Sequence, residues 1–169
     1  MLVSPFVELF SLLTGTEPFP WQCAYYECLI GAEPFPSTAD IPTGLGKTSV
    51  VAIWLIALLT HPDRVPRRLV YVVNRRTVVD QTSAEIERLR ERLKANPGFN
   101  AKLTALCAVP VDPVDEPLAL STLRGQLADN REWCADPARP AVIVGTVDMI
   151  GSGLLFSRYT CGFKTRPHH

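Results

Sequence analysis

Residues 42–48 read PTGLGKT and are followed by an apolar run, SVVAIWLIALL, at residues 49–59. The two glycines let the backbone turn tightly and aim successive N–H groups at one point, where phosphate oxygens would accept them. A helix predicted from Lys47 to Leu59 would direct its positive end at the same point. The stretch therefore predicts a loop that binds a nucleoside triphosphate and Mg²⁺, with the hydroxyl of Thr48 facing the metal. The residues of this site are Thr43, Gly44, Leu45, Gly46, Lys47 and Thr48.

The rest of the chain alternates between strand-like and helix-like patterns. Short apolar or β-branched segments predict strands at 38–41, 69–73, 103–109 and 141–144. Helices are predicted at 5–13, 21–30, 47–59 and 77–95, and a mixed helical stretch is predicted up to Cys134. The helix at 77–95 places Val79, Thr82, Ile86, Leu89 and Leu93 on one face. This alternation predicts an α/β domain of three layers with a mostly parallel sheet.

Composition sets broad limits on the class of protein. The 169 residues fit one domain, and 17 basic residues balance 17 acidic ones, so the net charge gives no reason to expect a nucleic-acid partner. Any such evidence has to come from a local group of residues. The five cysteines are scattered and form no C-x-x-C pair, which favours a reducing compartment without a structural zinc site. The longest apolar run is too short to cross a membrane, so we expect a soluble, cytoplasmic protein.

Four further segments narrow the class of nucleotide-binding protein. FPWQ at 19–22 places an aromatic ring and a Gln22 amide, which has both a donor and an acceptor, before a helix. The strand at 69–73 ends in Asn74, Arg75 and Arg76, where a parallel sheet gathers its ligands. LRGQ at 123–126 and GTVD at 145–148 add phosphate-contacting geometries, although each is also typical of an ordinary turn or helix cap.

These segments together resemble the helicase part of the CRISPR-associated helicase-nuclease of type I interference systems. The stretches that carry the resemblance are FPWQ at 19–22, IPTGLGKT at 41–48, VYVVNRRTVVDQT at 70–82 and LRGQLADNREWCADPARPAVIVGTVDMIGSGLLFSRY at 123–159. The similarity is greatest to the type I-U (also called I-G) branch. Ile41 stands where the general phosphate-loop pattern has glycine, as is usual in the superfamily 2 helicase variant.

The resemblance implies a RecA-like P-loop domain that moves along single-stranded DNA and acts with a Cascade-type effector complex in antiviral defence. Residues 1–169 would form the N-terminal part of the first RecA-like domain, with a helical lead-in at 1–36. By position, ATP and Mg²⁺ would be the cofactors, and Gln22 would contact the adenine. The residues on or beside the nucleic-acid path would be Asn74, Arg75, Arg76, Arg124, Gln126, Thr146 and Asp148.

The chain departs from that family in its acidic residues. A superfamily 2 helicase hydrolyses ATP with a DExx box that follows an apolar strand. The single Asp-Glu pair, Asp115-Glu116, lies between prolines, and we expect it to be solvated. We therefore expect no catalytic residue here, weak ATP binding at most and essentially no hydrolysis. We also expect a sheet that is incomplete at the C-terminal side, with an open apolar edge.

Two other classes of protein stay open. One is a non-catalytic module that binds DNA or the effector complex without turnover, for instance as a decoy. The other is an unrelated P-loop enzyme such as a small-molecule kinase, which would need a lid that carries arginines.

Overall fold

A computed structural model describes residues 4–32, 34, 37–109, 116–123, 132 and 136–151. Six α-helices and three strands occur in these ranges. The helices are α1 (Pro5–Thr14), α2 (Pro20–Ile30), α3 (Val50–Thr60), α4 (Arg76–Lys94), α5 (Pro97–Thr104) and α6 (Val147–Ile150). The strands are β1 (Arg68–Val73), β2 (Ala119–Leu123) and β3 (Ala141–Thr146), and a 3-10 turn (Lys47–Ser49) leads into α3.

The three strands form one parallel sheet in the order β1-β3-β2. Val73 lies opposite Thr146, and Leu123 lies opposite Gly145, so all three strands end at the same edge. The predicted α/β class with a parallel sheet is confirmed. Parallel strands require crossover connections, which explains why the helices alternate with the strands along the chain.

Helices contact both faces of the sheet. On one face, Leu69, Tyr71, Leu120, Val142 and Val144 belong to an apolar cluster that includes buried residues of α1 to α5. On the other face, Leu123 and Ile143 pack against Ile150 of the short helix α6. Side chains at alternate positions of a strand point to opposite faces, and the residues of the two clusters follow this period of two.

The centre of the helical layer is α3, in which every residue from Val51 to Leu59 is buried. A helix that is apolar on all sides must be covered on all sides. The indole Nε1 of Trp54 donates a hydrogen bond of 2.8 Å to the carbonyl of Pro66, so the one polar atom of that large side chain is satisfied.

The amphipathic prediction for α4 is confirmed. Val79, Thr82, Ile86, Leu89 and Leu93 are all buried. Its outer face also contacts α1, because Nη1 of Arg92 donates a hydrogen bond of 2.7 Å to the carbonyl of Leu13. That carbonyl lies in the last turn of α1, where carbonyl groups lack helical partners.

Three predicted segments are wrong. Residues 38–41 form no strand. Residues 103–109 are not a strand either, because Pro97 begins α5, whose last turn contains the buried Leu103. The stretch predicted to be mixed helix contains β2, since Ala119–Leu123 pairs with β3 despite the helix propensity of alanine and leucine.

The apolar, β-branched run at 69–73 is typical of a buried parallel strand, but β1 is only partly buried. Among the described residues it is an edge strand, and Val70 and Val72 are 40% and 46% exposed. The two valines lie on the same face of the sheet as Ile143 and α6, so the exposed apolar surface belongs to that face, and the open edge stays a prediction.

The side chain of Asp136 joins the segment that precedes β3 to the residues that follow α5. Its carboxylate accepts hydrogen bonds from the backbone N–H groups of Ala108, Val109 and Ala138 at 2.8, 3.0 and 2.8 Å. The Val109 amide, together with those of Ala138 and Ala108, lowers the pKa of Asp136, because hydrogen bonds to the ionised form stabilise it.

Within the residues described here, no helix has the length and apolar character needed to cross a membrane.

Candidate functional site

The segment at residues 42–48, called the glycine loop below, joins an irregular stretch to the 3-10 turn before α3. Gly44 and Gly46 have φ angles of 89° and 68°. Only glycine adopts such angles without steric cost, which explains why the motif has glycine at both positions. The loop therefore makes a tight bend at these two glycines.

The backbone N–H groups of residues 44–48, in the glycine loop, form no hydrogen bond to any described residue. The first N–H groups of a helix have no partner inside it and commonly bind an anion. Lys47 is exposed and Thr48 is half-buried, and both follow Gly46 directly in the sequence.

The first turn of α2 with the residue before it, FPWQ at 19–22, contacts the glycine loop directly; we call it the anchor turn. Nε1 of Trp21 donates a hydrogen bond of 3.0 Å to the carbonyl of Leu45. Nε2 of Gln22 donates one of 2.5 Å to Oγ of Ser49. Two segments more than twenty residues apart, each singled out in the sequence, therefore meet at one place.

Ser49 completes a chain of hydrogen bonds. The amide of Phe19 donates to Oε1 of Gln22 at 2.7 Å, as in one half of a capping box. Gln22 donates to Ser49, and Oγ of Ser49 donates in turn to the carbonyl of Gly46 at 2.6 Å. The chain runs from the anchor turn into the glycine loop.

The two segments are packed closely as well as bonded. A Cβ atom added to Gly46 would lie 3.3 Å from Nε2 of Gln22 and 3.9 Å from Cε2 of Phe19. Glycine at position 46 is therefore required both by its φ angle and by the close approach of the anchor turn.

A cavity of about 580 Å³ opens beside this contact. Its volume lies within the range of about 300–1,000 Å³ that is typical of ligand pockets. Its walls come from α1, the anchor turn, the start of α3 and the outer face of α4. Among the lining residues are Phe19, Gln22, Gly46, Thr48, Gln81 and Glu85.

Gln22, predicted to contact adenine, lines this cavity but is only 2% exposed. One N–H of its amide is used by Ser49, and one lone pair of its Oε1 is used by Phe19. A glutamine amide has two N–H donors and two acceptor lone pairs, so one of each remains. The contacts give Gln22 a definite structural role, and its role toward a base stays a prediction.

A second group of predicted residues lies where the strands end, and we call Asn74, Arg75, Arg76, Thr146 and Asp148 the strand-end surface. Asn74 to Arg76 follow β1, while Thr146 ends β3 and Asp148 lies in α6. The pairing of Val73 with Thr146 brings the ends of β1 and β3 side by side. Asn74, Arg75, Arg76 and Asp148 are exposed.

The other two residues of that predicted path, Arg124 and Gln126, lie outside the described residues. The strand that precedes them, β2, ends at Leu123 beside Gly145. The end of β2 therefore joins the same edge of the sheet.

Glu116 corrects one expectation about the acidic residues. The Asp115-Glu116 pair was predicted to be solvated, and Asp115 lies outside the described residues. Glu116 is not solvated: its side chain is 16% exposed and forms ion pairs with Arg90 and Lys94 of α4. In the described ranges, no group of three or more His, Cys, Asp or Glu residues is placed to hold a metal ion.

Sequence patterns alone do not reveal two contributors to the site, Trp21 and Ser49. Trp21 is visible only as part of FPWQ, and Ser49 only as the start of an apolar run. The signals that the sequence offers for these two residues are an indole donor one residue before Gln22 and a hydroxyl directly after Lys47-Thr48. Their partners, the carbonyls of Leu45 and Gly46, become evident only in three dimensions.

Comparisons with protein-family models, with curated proteins and with solved structures found no match to this chain.

Proposed function

We propose that this chain binds Mg²⁺–ATP through the glycine loop, as the ATP-binding part of a RecA-like domain of a superfamily 2 DNA helicase. The observation that carries the proposal is the junction of the anchor turn with the glycine loop. An isolated Gly-Lys-Thr turn occurs in many contexts, whereas a Phe-Pro-Trp-Gln turn bonded to Leu45 and Ser49 is a more specific arrangement. The resemblance in sequence supports the type I CRISPR class of such helicases, acting with a Cascade-type complex in the cytoplasm.

In this proposal each group of the loop has one role. The free amides of residues 44–48 donate to the phosphate oxygens, and the ammonium group of Lys47 neutralises the charge of the outer phosphates. The hydroxyl of Thr48 takes one position around Mg²⁺. The helical dipole of the 3-10 turn and α3 adds to the attraction.

The proposed activity is binding without turnover. Hydrolysis requires an acidic pair that holds Mg²⁺ and activates water. In the Asp115-Glu116 pair, the carboxylate of Glu116 is already matched by Arg90 and Lys94. We therefore expect no ATP hydrolysis above background from this chain by itself.

Calorimetry with Mg²⁺–ATP tests the proposal. Lys47→Ala is expected to weaken ATP binding by about 10–100-fold, because a charge-assisted hydrogen bond contributes about 1.5–3 kcal/mol. Lys102→Ala is the matched control, since Lys102 is an exposed lysine of α5. Absence of ATP binding by the folded wild-type chain, or equal affinity of both variants, would show that the proposal is wrong.

One observation favours a second candidate function, a module that binds single-stranded DNA without turnover. The side chains of Asn74, Arg75 and Arg76 form no hydrogen bond or ion pair with any other described residue, and all three are exposed. Such side chains are available to phosphate oxygens of a nucleic-acid backbone. Salt-dependent DNA binding in the absence of any ATP affinity would favour this candidate.

A further inference from the structure

We propose that Trp21 and Ser49 are positioning residues that orient the phosphate-binding amides of Gly46 and Lys47. The inference rests on the proposed function, since it concerns how the glycine loop would hold a triphosphate. Neither residue needs to touch the ligand. Each acts through a backbone carbonyl of the loop.

The geometry of the peptide group links the carbonyls to the amides. In a trans peptide, C=O and the N–H of the following residue point in opposite directions. The peptide bonds of the described chain are all trans. A carbonyl held toward one side of the loop therefore directs the next N–H toward the other side.

Trp21 and Ser49 hold two consecutive carbonyls. The indole Nε1 of Trp21 donates to the Leu45 carbonyl at 3.0 Å, which directs the Gly46 N–H away from the anchor turn. The Gly46 carbonyl accepts two hydrogen bonds from Ser49, one of 2.6 Å from Oγ and one of 3.0 Å from the backbone N–H, and both direct the Lys47 N–H in the same manner. Two adjacent donors are thereby fixed before a ligand arrives, and donors fixed in advance lower the cost of binding.

Gln22 makes the orientation of Ser49 specific. A serine hydroxyl rotates freely and has two acceptor lone pairs. Nε2 of Gln22, which is almost fully buried, donates to Oγ of Ser49 at 2.5 Å. With its acceptor side occupied in this way, the hydroxyl proton is directed to the Gly46 carbonyl.

The test measures binding of Mg²⁺–tripolyphosphate, which has the phosphates but no base or sugar, by calorimetry with the full chain. Ser49→Ala and Trp21→Phe each remove one donor and are expected to weaken binding about fivefold, the equivalent of one net hydrogen bond. Ser49→Thr retains the hydroxyl and is expected to bind within about twofold of the wild type.

Two matched controls lose the same chemical group elsewhere. Trp54→Phe removes an indole donor that bonds to Pro66, and Ser83→Ala removes a hydroxyl 2.9 Å from that of Thr122. Both are expected to leave tripolyphosphate affinity unchanged, whatever they do to stability. A purely structural effect would lower affinity in the controls as well.

A measurement on the wild-type chain keeps the inference testable even if a variant does not fold. In a ¹H–¹⁵N spectrum, tripolyphosphate is expected to shift the amide signals of Gly46 and Lys47 more than those of the exposed residues Asp63 and Lys102. Saturable binding without those shifts would overturn the inference.

The outcomes separate the inference from the proposed function. If Lys47→Ala loses binding while Ser49→Ala and Trp21→Phe bind as the wild type does, the inference is wrong and the proposed function stands. If the folded wild-type chain binds neither ATP nor tripolyphosphate, the proposed function is wrong and the inference falls with it.

Discussion

The glycine loop and the strand-end surface are both candidate sites for phosphate groups, yet they are built in opposite ways. In the glycine loop the carbonyls of Leu45 and Gly46 are bonded to side chains, and the amides are left free. At the strand-end surface the charged side chains of Arg75 and Arg76 are exposed and bond to no other described residue.

The difference reflects what each kind of ligand requires. A small triphosphate presents oxygens at a few fixed points, so fixed backbone donors bind it with little loss of freedom. A nucleic-acid backbone presents charge along its whole length, and mobile guanidinium groups follow it without exact placement. We therefore expect substitutions in the glycine loop and the anchor turn to lower the stability of the fold. Substitutions at the strand-end surface are instead expected to weaken salt-dependent binding of nucleic acid.

The largest expected effect on the free energy of unfolding is that of Gln22→Ala. This change leaves a buried space and removes the partner of both the Phe19 amide and the Ser49 hydroxyl. We expect a loss of about 2–3 kcal/mol in urea unfolding, because buried polar groups without partners are costly. Gln81→Ala, an exposed glutamine of α4, serves as control and should change stability by less than about 0.5 kcal/mol. An equal loss of stability in the two variants would contradict the structural role assigned to Gln22.

Gly46→Ala is expected to have the next largest effect, and Gly44→Ala provides the internal comparison. Both residues have positive φ, at which an L-residue costs about 1–2 kcal/mol. The Cβ at position 46 also meets Gln22, whereas nothing lies within 4 Å of a Cβ at position 44. Unfolding experiments should place Gly46→Ala near a loss of about 2 kcal/mol and Gly44→Ala near about 1 kcal/mol. A larger loss for Gly44→Ala would contradict the close packing described above.

The smallest expected effect on stability is that of the double change Arg75→Ala and Arg76→Ala, which should stay within about 0.5 kcal/mol. Binding to single-stranded DNA should nevertheless weaken. For each DNA phosphate that the variant no longer neutralises, the slope of log K against log salt becomes shallower by about 0.7. Fluorescence anisotropy over a series of salt concentrations measures this slope. The double change Arg64→Ala and Arg67→Ala, at exposed residues near the start of β1, controls for net charge, and an equal change of slope there would argue against a specific surface.

The sequence was informative where local patterns decide the structure. The apolar period of α4 predicted its buried face correctly, and the β-branched run at 69–73 predicted β1. The glycine loop was predicted from spacing alone, and its two glycines have the positive φ angles that the motif implies.

The sequence was uninformative where contacts between residues far apart in the chain determine the structure. β2 contains alanine and leucine, which favour helix locally, and only its pairing with β3 makes it a strand. The exposure of Val70 and Val72 depends on strand order, which no local pattern records. The contacts of Trp21 and Ser49 were likewise hidden, because the acceptors are backbone carbonyls and every residue has one.

The order of the strands has a consequence for folding during synthesis. β3 is the last strand of the described sheet in the sequence, yet it lies between the other two. At about 5–20 residues per second, the ribosome needs several seconds between completing β1 and delivering β3. Throughout that interval β1 lacks its partner in the described sheet, while α3, which is apolar except for Thr60, has already been made. A nascent chain of this kind is exposed to chaperones and to other unfinished chains until its central strand arrives.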